Sequence, residues 1–283
     1  METAKIIGVD LGATNVRSAT VSVEIISDIV SKRINSDGNE EEVLNDVFEV
    51  IDKLVTNETK AIGIGVPSVV DVEEGIVYDV QYIPSWKEVP LKKIMEQRYR
   101  IPVYVNNDAN CFAVGEHYFG KGKNADSLIG LTLGTGVGAG IIINNKLYPG
   151  RNCGAGEFGM VNYLDNVYEY YCSGSFFENV YQLSGEAVFQ SAKEGNKRAM
   201  EMYAEMGVHL GNAIKMIMYT YDPALIILGG SVRFAYEFFQ QTMWERIKTF
   251  AFTKSAERLR IEISELKNSG ILGAAALYYD ASK

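Results

Sequence analysis

The sequence predicts an α/β protein with two domains. Apolar strand-like runs alternate with segments whose apolar residues recur at helical spacing, which is the rhythm of βαβ units. Two runs, IIGVDLGATNVRSATV at 6–21 and LIGLTLGTGVGAGIII at 128–143, share one pattern: a glycine turn with a small hydroxyl residue between two apolar stretches. At 283 residues the chain is long for one domain and natural for two.

Periodicity and turn residues predict each element in turn. Apolar residues at helical spacing indicate an amphipathic helix over 41–57, and Asp222-Pro223 is a typical helix stop before a strand. In chain order we expect strands over 5–10 and 15–23, a further strand segment over 24–34, a helix over 41–57, a strand over 61–71, a helix over 89–99, a strand over 101–108, a helix over 109–120, the second hairpin over 128–143, a glycine-rich loop over 149–159, a helical region over 173–221, a strand over 224–230 and a helix over 269–280. This order places polar residues at the carboxyl ends of strands, where α/β proteins bind ligands.

Composition excludes several classes of function. The net charge of −9 disfavours non-specific binding to nucleic acid or an anionic membrane, because neutralising phosphates needs clustered Lys and Arg. No apolar stretch reaches the length of a membrane span, and the N-terminus enters a strand without a signal sequence, so we expect a cytoplasmic protein. Three cysteines without a CxxC pair are typical of reduced thiols.

The two glycine hairpins predict a polyphosphate site. A strand, a tight turn and a returning strand leave backbone N–H groups without ladder partners, and such groups form a nest for an anion. Two such hairpins suggest two half-sites for one polyphosphate. Asp10, at the end of the first apolar run, would hold a metal ion beside the phosphates.

Several motifs along the chain resemble those of one family, the ROK family of sugar kinases in the actin, Hsp70 and hexokinase superfamily. The motifs are DLGATN (10–15), GIGVPSVVD (63–71), IPSW (83–86), VNNDAN (105–110), LGTGVGAG (133–140), GEFG (156–159) and ILGGSV (227–232). They follow the family's order over almost the whole chain. The resemblance implies a two-domain actin-like ATPase (ribonuclease H-like) fold with a cleft between the domains.

The order of the elements along the chain predicts where the domains divide. We expect a smaller N-terminal α/β domain over 1–117, a larger C-terminal α/β domain over 118–268, and a final helix within 269–283 that packs back on the N-terminal domain.

One departure from the family is large. Members usually follow the GE motif with a GH pair and a CxCGxxGCxE loop that holds structural zinc. Here the pair is Gly159-Met160, and the next loop, VNYLDNVYEYYCSG, has a single cysteine, so we expect no zinc site. Its tail YEYYCSG still resembles the family's LEAYASG, which implies that Glu169 is the sugar-binding glutamate. The tyrosines of this loop could line a sugar face by stacking or cover the place where zinc is absent, and we expect them to cover it.

Asp108 is the predicted general base. Phosphoryl transfer to a sugar hydroxyl needs alignment, charge neutralisation and an acceptor for the hydroxyl proton. An aspartate that ends a strand and opens a helix meets that need, although it could merely cap the helix. Asn107 would bind sugar hydroxyls, with a strand-end turn as the alternative, and Asn106 on the other face of the strand would be structural.

The resemblance implies that Glu157 and Glu169 are the other sugar-binding residues. A hexose is polar all round, so its site needs several fixed acceptors, and leaving one unpaired is costly. The alternative is a solvated loop carboxylate, which is common in a chain with 36 acidic residues.

The remaining predicted residues would bind ATP and Mg²⁺. Asp10 would orient Mg²⁺ through water, because Mg²⁺ keeps much of its hydration. The alternatives are a capped strand end for Asp10, ordinary turns for the hairpins and close packing for the last glycine pair. The predicted contacts are Gly12, Thr14 and Asn15 for the γ-phosphate, Gly134, Thr135 and Gly136 for the β-phosphate, and Gly229 and Gly230 for adenosine.

These residues together predict an ATP- and Mg²⁺-dependent hexose kinase that phosphorylates O6 of glucose or a related hexose and forms a homodimer, as in the family. An N-acetylhexosamine kinase is the alternative within the class, since Met160 could suit an N-acetyl methyl group. A sugar-responsive transcriptional regulator, a non-catalytic sugar sensor and an actin- or Hsp70-like ATPase are alternatives of other classes. We expect no DNA-reading domain, because the first predicted phosphate strand begins almost at once.

Overall fold

The computed structural model describes residues 4–23, 25–151 and 153–282. The chain forms two compact units. Unit 1 comprises Met1–Asp126, Gly140–Ala155 and Glu265–Lys283, and unit 2 comprises Ser127–Ala139 and Gly156–Ser264. The predicted division at 117/118 differs from this one, since the chain passes to unit 2 at residue 127 and returns to unit 1 over 140–155. The return has a packing reason: a Cβ built on Gly140 would lie 2.6 Å from the Cβ of Ala113.

The described residues form strands and helices in the following order. They are β1 (Lys5–Leu11), β2 (Asn15–Ser22), β3 (Ile25–Ile26), β4 (Val30–Arg33), α1 (Glu40–Asp52), β5 (Thr59–Val66), β6 (Val69–Asp71), β7 (Ile76–Tyr78), β8 (Glu88–Val89), α2 (Leu91–Tyr99), β9 (Val103–Asn107), α3 (Asp108–Phe119), β10 (Leu128–Leu133), β11 (Val137–Ile143), β12 (Lys146–Leu147), β13 (Asn162–Tyr163), β14 (Asn166–Val167), α4 (Tyr168–Cys172), α5 (Phe176–Tyr181), α6 (Gly185–Lys193), α7 (Lys197–Tyr221), β15 (Leu225–Gly229), α8 (Tyr236–Ile247), α9 (Thr253–Arg258), β16 (Arg260–Ile263) and α10 (Ser269–Ala281), with 3₁₀ turns at Phe158–Met160 and Ser231–Ala235.

The sheet of unit 1 brings three strand ends to one edge. Its order is β3-β2-β1-β5-β9, with β4 also paired to β2. The first hairpin is confirmed, because β1 and β2 pair antiparallel from Lys5 opposite Ser22 to Leu11 opposite Val16. β5 runs parallel to β1 and to β9. The carboxyl ends of β1, β5 and β9 therefore lie along the same edge.

Glycines allow α10 to approach this sheet closely. A Cβ on Gly8 would overlap the carbonyl oxygen of Ile271, and a Cβ on Gly63 would overlap that of Ala274. Alternate residues of the same strands, such as Ile7 and Ile62, face the opposite way into the apolar core that α1 covers. The last helix thus belongs to the packing of unit 1.

Unit 2 is built on the second hairpin and a long helix. The second hairpin is part of a sheet of order β12-β11-β10-β15-β16, in which β10, β15 and β16 run parallel. Strand β12 and residues 140–143 of β11 are counted in unit 1. The helical region predicted over 173–221 is three helices, α5, α6 and α7. Helix α7 ends as predicted before Pro223, with Asp222 in the left-handed region at φ 43°.

Among the residues that the model describes, no helix is both long and apolar enough to cross a bilayer.

Candidate functional site

The carboxyl edge of the unit 1 sheet carries two of the predicted acidic residues. Asp10 lies near the end of β1, and Asp108 follows β9 as the first residue of α3. Both act on the same neighbour: the pKa of the Cys111 thiol is raised well above its ordinary value by complete burial and then by the charges of Asp108 and Asp10. The predicted metal residue and the predicted base therefore share one edge of one unit.

Helix α3 is capped by Asn107. The Asn107 Oδ1 accepts hydrogen bonds from the backbone N–H of Ala109 at 2.9 Å and of Asn110 at 3.4 Å. Asp108 itself is exposed, and its Oδ1 accepts from the Ala109 N–H at 2.8 Å. The alternative that Asp108 is the N-cap is therefore wrong. Its carboxylate lies at the positive end of a helix and is accessible to solvent.

Asn107 is half-buried, and both the oxygen and the nitrogen of its side-chain amide form hydrogen bonds. Its Nδ2 donates to the Ser68 carbonyl at 3.2 Å, which fixes the orientation that the cap requires. A second amide proton remains for a ligand, so the sugar-binding role stays a prediction. Asn106 is buried, and its Oδ1 accepts from Asn110 Nδ2 at 2.9 Å and from Cys153 Sγ at 3.2 Å. Its predicted structural role is confirmed.

Asp10 forms an ion pair across the first hairpin. Arg17 stands opposite it in the strand register, and Arg17 Nη2 lies 2.6 Å from Asp10 Oδ2. The first turn of α10 lies against the same carboxylate, because a Cβ on Gly270 would be 2.6 Å from Asp10 Cγ. The side chain is 22% exposed, so the carboxylate is held firmly yet reaches solvent.

The first hairpin borders a polar cavity of about 480 Å³ in unit 1. The turn is closed by the Gly12 N–H, which donates to the Asn15 carbonyl at 3.0 Å. Arg33 stands opposite Asn15 in the register of β2 and β4 and adds a cation to the cavity. Sequence reasoning missed Arg33, since only the strand pairing brings it beside the hairpin. The cavity is lined by Ala13, Thr14, Arg33, Ile34, Asn35, Ser36 and Asp37.

The second hairpin borders a cavity of about 510 Å³ in unit 2. The Gly134 carbonyl accepts from the Gly174 N–H at 2.6 Å, and Ser175 Oγ donates to the Thr135 carbonyl at 2.8 Å. Predicted hairpin residues thus meet aromatic residues that sequence reasoning missed. The lining residues include Gly134, Thr135, Gly174, Ser175, Phe177, Phe189, Tyr203, Ser231, Val232 and Phe234.

The glycine pair after β15 lies beside that cavity. Gly229 is paired with Thr132 in the sheet. Gly230 has a φ of 75°, and a Cβ there would overlap the backbone of Leu133, so close packing requires this glycine. The residues that follow, Ser231 and Val232, line the cavity. Contact of the glycines with adenosine stays a prediction.

Glu157 and Glu169 are neighbours in unit 2. Glu169 Oε2 accepts from the backbone N–H of Val137 at 2.8 Å, and a Cβ on Gly136 would lie 2.5 Å from that oxygen. One donor of the second hairpin is therefore already bound to protein. Burial of its carboxyl and the charge of Glu169 raise the pKa of Glu157. Both effects disfavour the ionised form, so a ligand that donates hydrogen bonds here would be favoured.

A short hairpin, β13 and β14, follows the GEFG segment. Its Tyr163 stacks on Tyr168 with ring centroids 4.3 Å apart, and His209 packs against Tyr163 from α7. The covering role of the tyrosines stays a prediction, and Met160 before this hairpin is 59% exposed. Within the described residues no group of three or more His, Cys, Asp or Glu could hold a metal. Absence of zinc stays a prediction.

Comparison with known proteins identifies the class to which this fold and these motifs belong. The ROK family model matches residues 6–281, so the chain belongs to the ROK family. A solved ROK family glucokinase from Streptomyces griseus, in complex with glucose and AMPPNP, is 27% identical with a TM-score of 0.80 over 97% of this chain and 99% of that one. The predicted family and fold class are confirmed.

Individual relatives include enzymes and regulators. The glucokinase of Thermotoga maritima is 27% identical over 98% of both chains. A xylose repressor of Caldicellulosiruptor bescii is 30% identical over 98% of this chain and 78% of the repressor. The relatives of this chain thus include both an enzyme and a repressor.

Proposed function

We propose that this protein is an ATP-dependent sugar kinase that transfers the γ-phosphoryl group to a hexose hydroxyl, O6 of glucose or a related sugar. The observation that carries the proposal is that Asp108 is exposed at the start of α3. Because Asn107 caps this helix, Asp108 does not have the capping role. The resemblance to glucokinases, one of them solved with glucose and an ATP analogue, supports the same reaction.

In the proposed reaction Asp108 accepts the proton of the sugar hydroxyl. As that proton leaves, the hydroxyl oxygen forms a bond to the γ-phosphorus and the bond from this phosphorus to the bridging oxygen of ADP breaks. Such transfers need positioning and charge stabilisation more than covalent help from the protein. The Asp108 carboxylate would act as the general base that accepts the hydroxyl proton.

The residues around Asp10 fit a magnesium ion. Mg²⁺ is bound in nucleotide sites by one or two carboxylates plus substrate phosphates and several waters. Asp10 supplies one carboxylate that reaches solvent. This carboxylate forms an ion pair with the positively charged Arg17. When bound, Mg²⁺ would neutralise negative charge on the phosphates. Asp10 would hold it through water.

The nucleotide would be bound by hairpin backbone and by the unit 2 cavity. We assign Gly12, Thr14 and Asn15 to the γ-phosphate and residues 134–136 to the β-phosphate. Adenosine would follow Gly229 and Gly230 into the cavity of about 510 Å³, where Phe234 and Tyr203 offer aromatic surfaces.

The sugar would be bound by Asn107, Glu157 and Glu169. The raised pKa of Glu157 supports this assignment, because shifted pKa values cluster at functional sites. Met160 exposes an apolar side chain close in sequence to Glu157, which favours an N-acetylhexosamine as the alternative substrate. Comparing kcat/KM for glucose, mannose, N-acetylglucosamine and N-acetylmannosamine decides between them.

The test of the base is Asp108→Asn. Loss of proton acceptance should lower kcat by about 10²–10⁴ while the KM for ATP changes little. Asp28→Asn makes the same change at an exposed aspartate outside the proposed site and should leave kcat unchanged. Near-wild-type turnover of Asp108→Asn in a coupled ADP-release assay would refute the assignment.

A sugar-responsive regulator is the second candidate function. The similarity to a xylose repressor over 98% of this chain favours it. A kinase should release ADP only when both sugar and Mg²⁺ are present, whereas a regulator or sensor should bind sugar without turnover. Sugar binding by calorimetry, measured beside ADP release, separates the two. By analogy with the family we also propose a homodimer, which light scattering would test.

A further inference from the structure

A line of four polar side chains crosses unit 2 from α8 to the β13–β14 hairpin. Arg246 Nε donates to Asn212 Oδ1 at 2.6 Å. Asn212 Nδ2 donates to the Tyr163 hydroxyl oxygen at 2.8 Å. That hydroxyl lies 3.1 Å from His209 Nδ1. Helices α7 and α8 are thereby tied to a hairpin that contains only four strand residues.

The chemistry of the groups sets the direction of this line. Arginine only donates, so Asn212 must present its oxygen to Arg246 and its NH₂ to Tyr163. The Tyr163 oxygen then accepts from Asn212, and in the arrangement proposed below its proton is directed to His209 Nδ1. That nitrogen must carry a lone pair, so the proton of the neutral ring is on Nε2, which lies 3.9 Å from Glu205 Oε1.

The hairpin end of the line is connected to the proposed sugar site. The ring of Tyr163 stacks on Tyr168 with an interplanar angle of 14°, and Tyr168 is buried at the start of α4. The next residue is Glu169, whose carboxylate accepts from Val137 of the second hairpin. Any shift of Tyr163 is therefore transmitted by packing to the turn that carries Glu169.

We propose that Tyr163 and His209 are positioning residues that hold α4, and with it the Glu169 carboxylate, against the second hairpin. The kinetic consequence of this role rests on the proposed function, whereas the structural consequence does not. Neither residue touches the reacting atoms, and both act through Glu169.

The role requires a neutral His209. Burial lowers the pKa of His209, and the charge of Glu205 opposes that effect. The other groups that face the ring are Tyr163 from the hairpin, Tyr171 from α4 and the apolar Phe176 from α5. Protonation would place a hydrogen on Nδ1 against the hydroxyl proton of Tyr163. Acidification would therefore reverse the direction of this last hydrogen bond.

Nitrogen-15 NMR of the imidazoles tests the direction of the line. The chain has two histidines, so two ring spectra are expected, and either His209→Gln or His117→Gln assigns them. At pH 7.5 His209 should have an unprotonated Nδ1 and a protonated Nε2. Tyr163→Phe should shift the Nδ1 resonance. Tyr171→Phe, which removes a hydroxyl bonded to Asp165 instead, should not.

Two further measurements test the positioning role with the same pair of variants. Tyr163→Phe should speed hydrogen exchange at the Val137 amide and raise the KM for sugar about 3- to 10-fold, the worth of one hydrogen bond, with a smaller change in kcat. Tyr171→Phe should change neither. A protonated Nδ1 in the wild type, or equal effects of the two variants, would overturn the proposal. If no hexose is phosphorylated at all, the proposed function fails, and the NMR and exchange results still decide this role.

Discussion

At the scale of single residues, the properties of each side chain in the candidate site depend on a neighbouring side chain. Asn107 caps α3, and this leaves Asp108 exposed at the helix N-terminus. Glu169 binds the second hairpin through Val137, and its charge raises the pKa of Glu157. Each predicted residue thus has a protein partner that sets its chemistry.

Glu157→Gln should stabilise the protein at pH 7–8 while it raises the KM for sugar. The folded-state pKa of Glu157 lies above its ordinary value of 4.5, so its ionisation costs stability. The stability of the wild type relative to the Gln variant is greatest below pH 4.5, the ordinary pKa of a glutamate. This advantage is lost as the pH rises through the folded-state pKa of Glu157. The gain in Tm should be on the order of 1 °C, because the carboxylate is partly solvated.

Melting curves from pH 4.5 to pH 8 check this prediction. Glu201→Gln, the same change on the exposed face of α7, serves as the control and should give a gap in Tm that varies little with pH. A gap for Glu157→Gln that widens as pH falls would contradict the sign of the shift.

At the scale of elements, the packing of α10 decides the shape of the unit 1 sheet edge. The helix lies on β1 and β5 because glycines in both strands leave room for its backbone. Its first turn, at Gly270, then meets the Asp10 carboxylate. The predicted metal residue is therefore placed partly by the last helix of the chain.

Gly63→Ala should lower the free energy of unfolding by about 1–3 kcal/mol or more, the usual cost of overpacking. The added methyl would overlap the carbonyl oxygen of Ala274. A backbone group cannot relieve the overlap by changing its rotamer, as a side chain can. Gly154→Ala is the matched control, since a Cβ there meets nothing within 4 Å, and it should change stability by less than ~0.5 kcal/mol. Urea denaturation measures both, and equal midpoints would contradict the packing argument.

At the scale of the whole molecule, each unit has its own hairpin and its own cavity. The unit 1 cavity is polar and lies beside Thr14, whereas the unit 2 cavity has aromatic walls and lies beside Thr135. The two cavities therefore differ in the chemistry of their walls.

Mg²⁺-AMPPNP should raise the melting temperature of the wild type by about 5 °C at 100 times its Kd, because ligand bound only to the folded state stabilises it. Phe234→Ala, which removes an aromatic wall of the unit 2 cavity, should lose most of that rise. Phe252→Ala removes an equally exposed phenylalanine that does not line the cavity and should retain it. If Phe234→Ala melts like the control in the presence of nucleotide, the base is bound elsewhere.

Local patterns predicted most elements of the fold correctly. The first hairpin, the strand before Asn107, the end of α7 before Pro223 and the last helix follow from alternation, helical spacing and turn residues. The helical region after residue 173 was less well predicted, since it is divided into α5, α6 and α7. A left-handed Gln182 and the turn at Gly195 break it, and neither signal is strong in sequence alone.

The sequence by itself determined the family, the order of the elements and the residue types that carry the chemistry, because these depend on local periodicity and on motifs a few residues long. Only the tertiary structure decided that Asn107 is the cap, that Arg17 pairs with Asp10, that Arg33 joins the first hairpin and that Tyr163 meets His209. Those contacts join residues through strand register and helix packing. They depend on which elements become neighbours, and no local pattern encodes that.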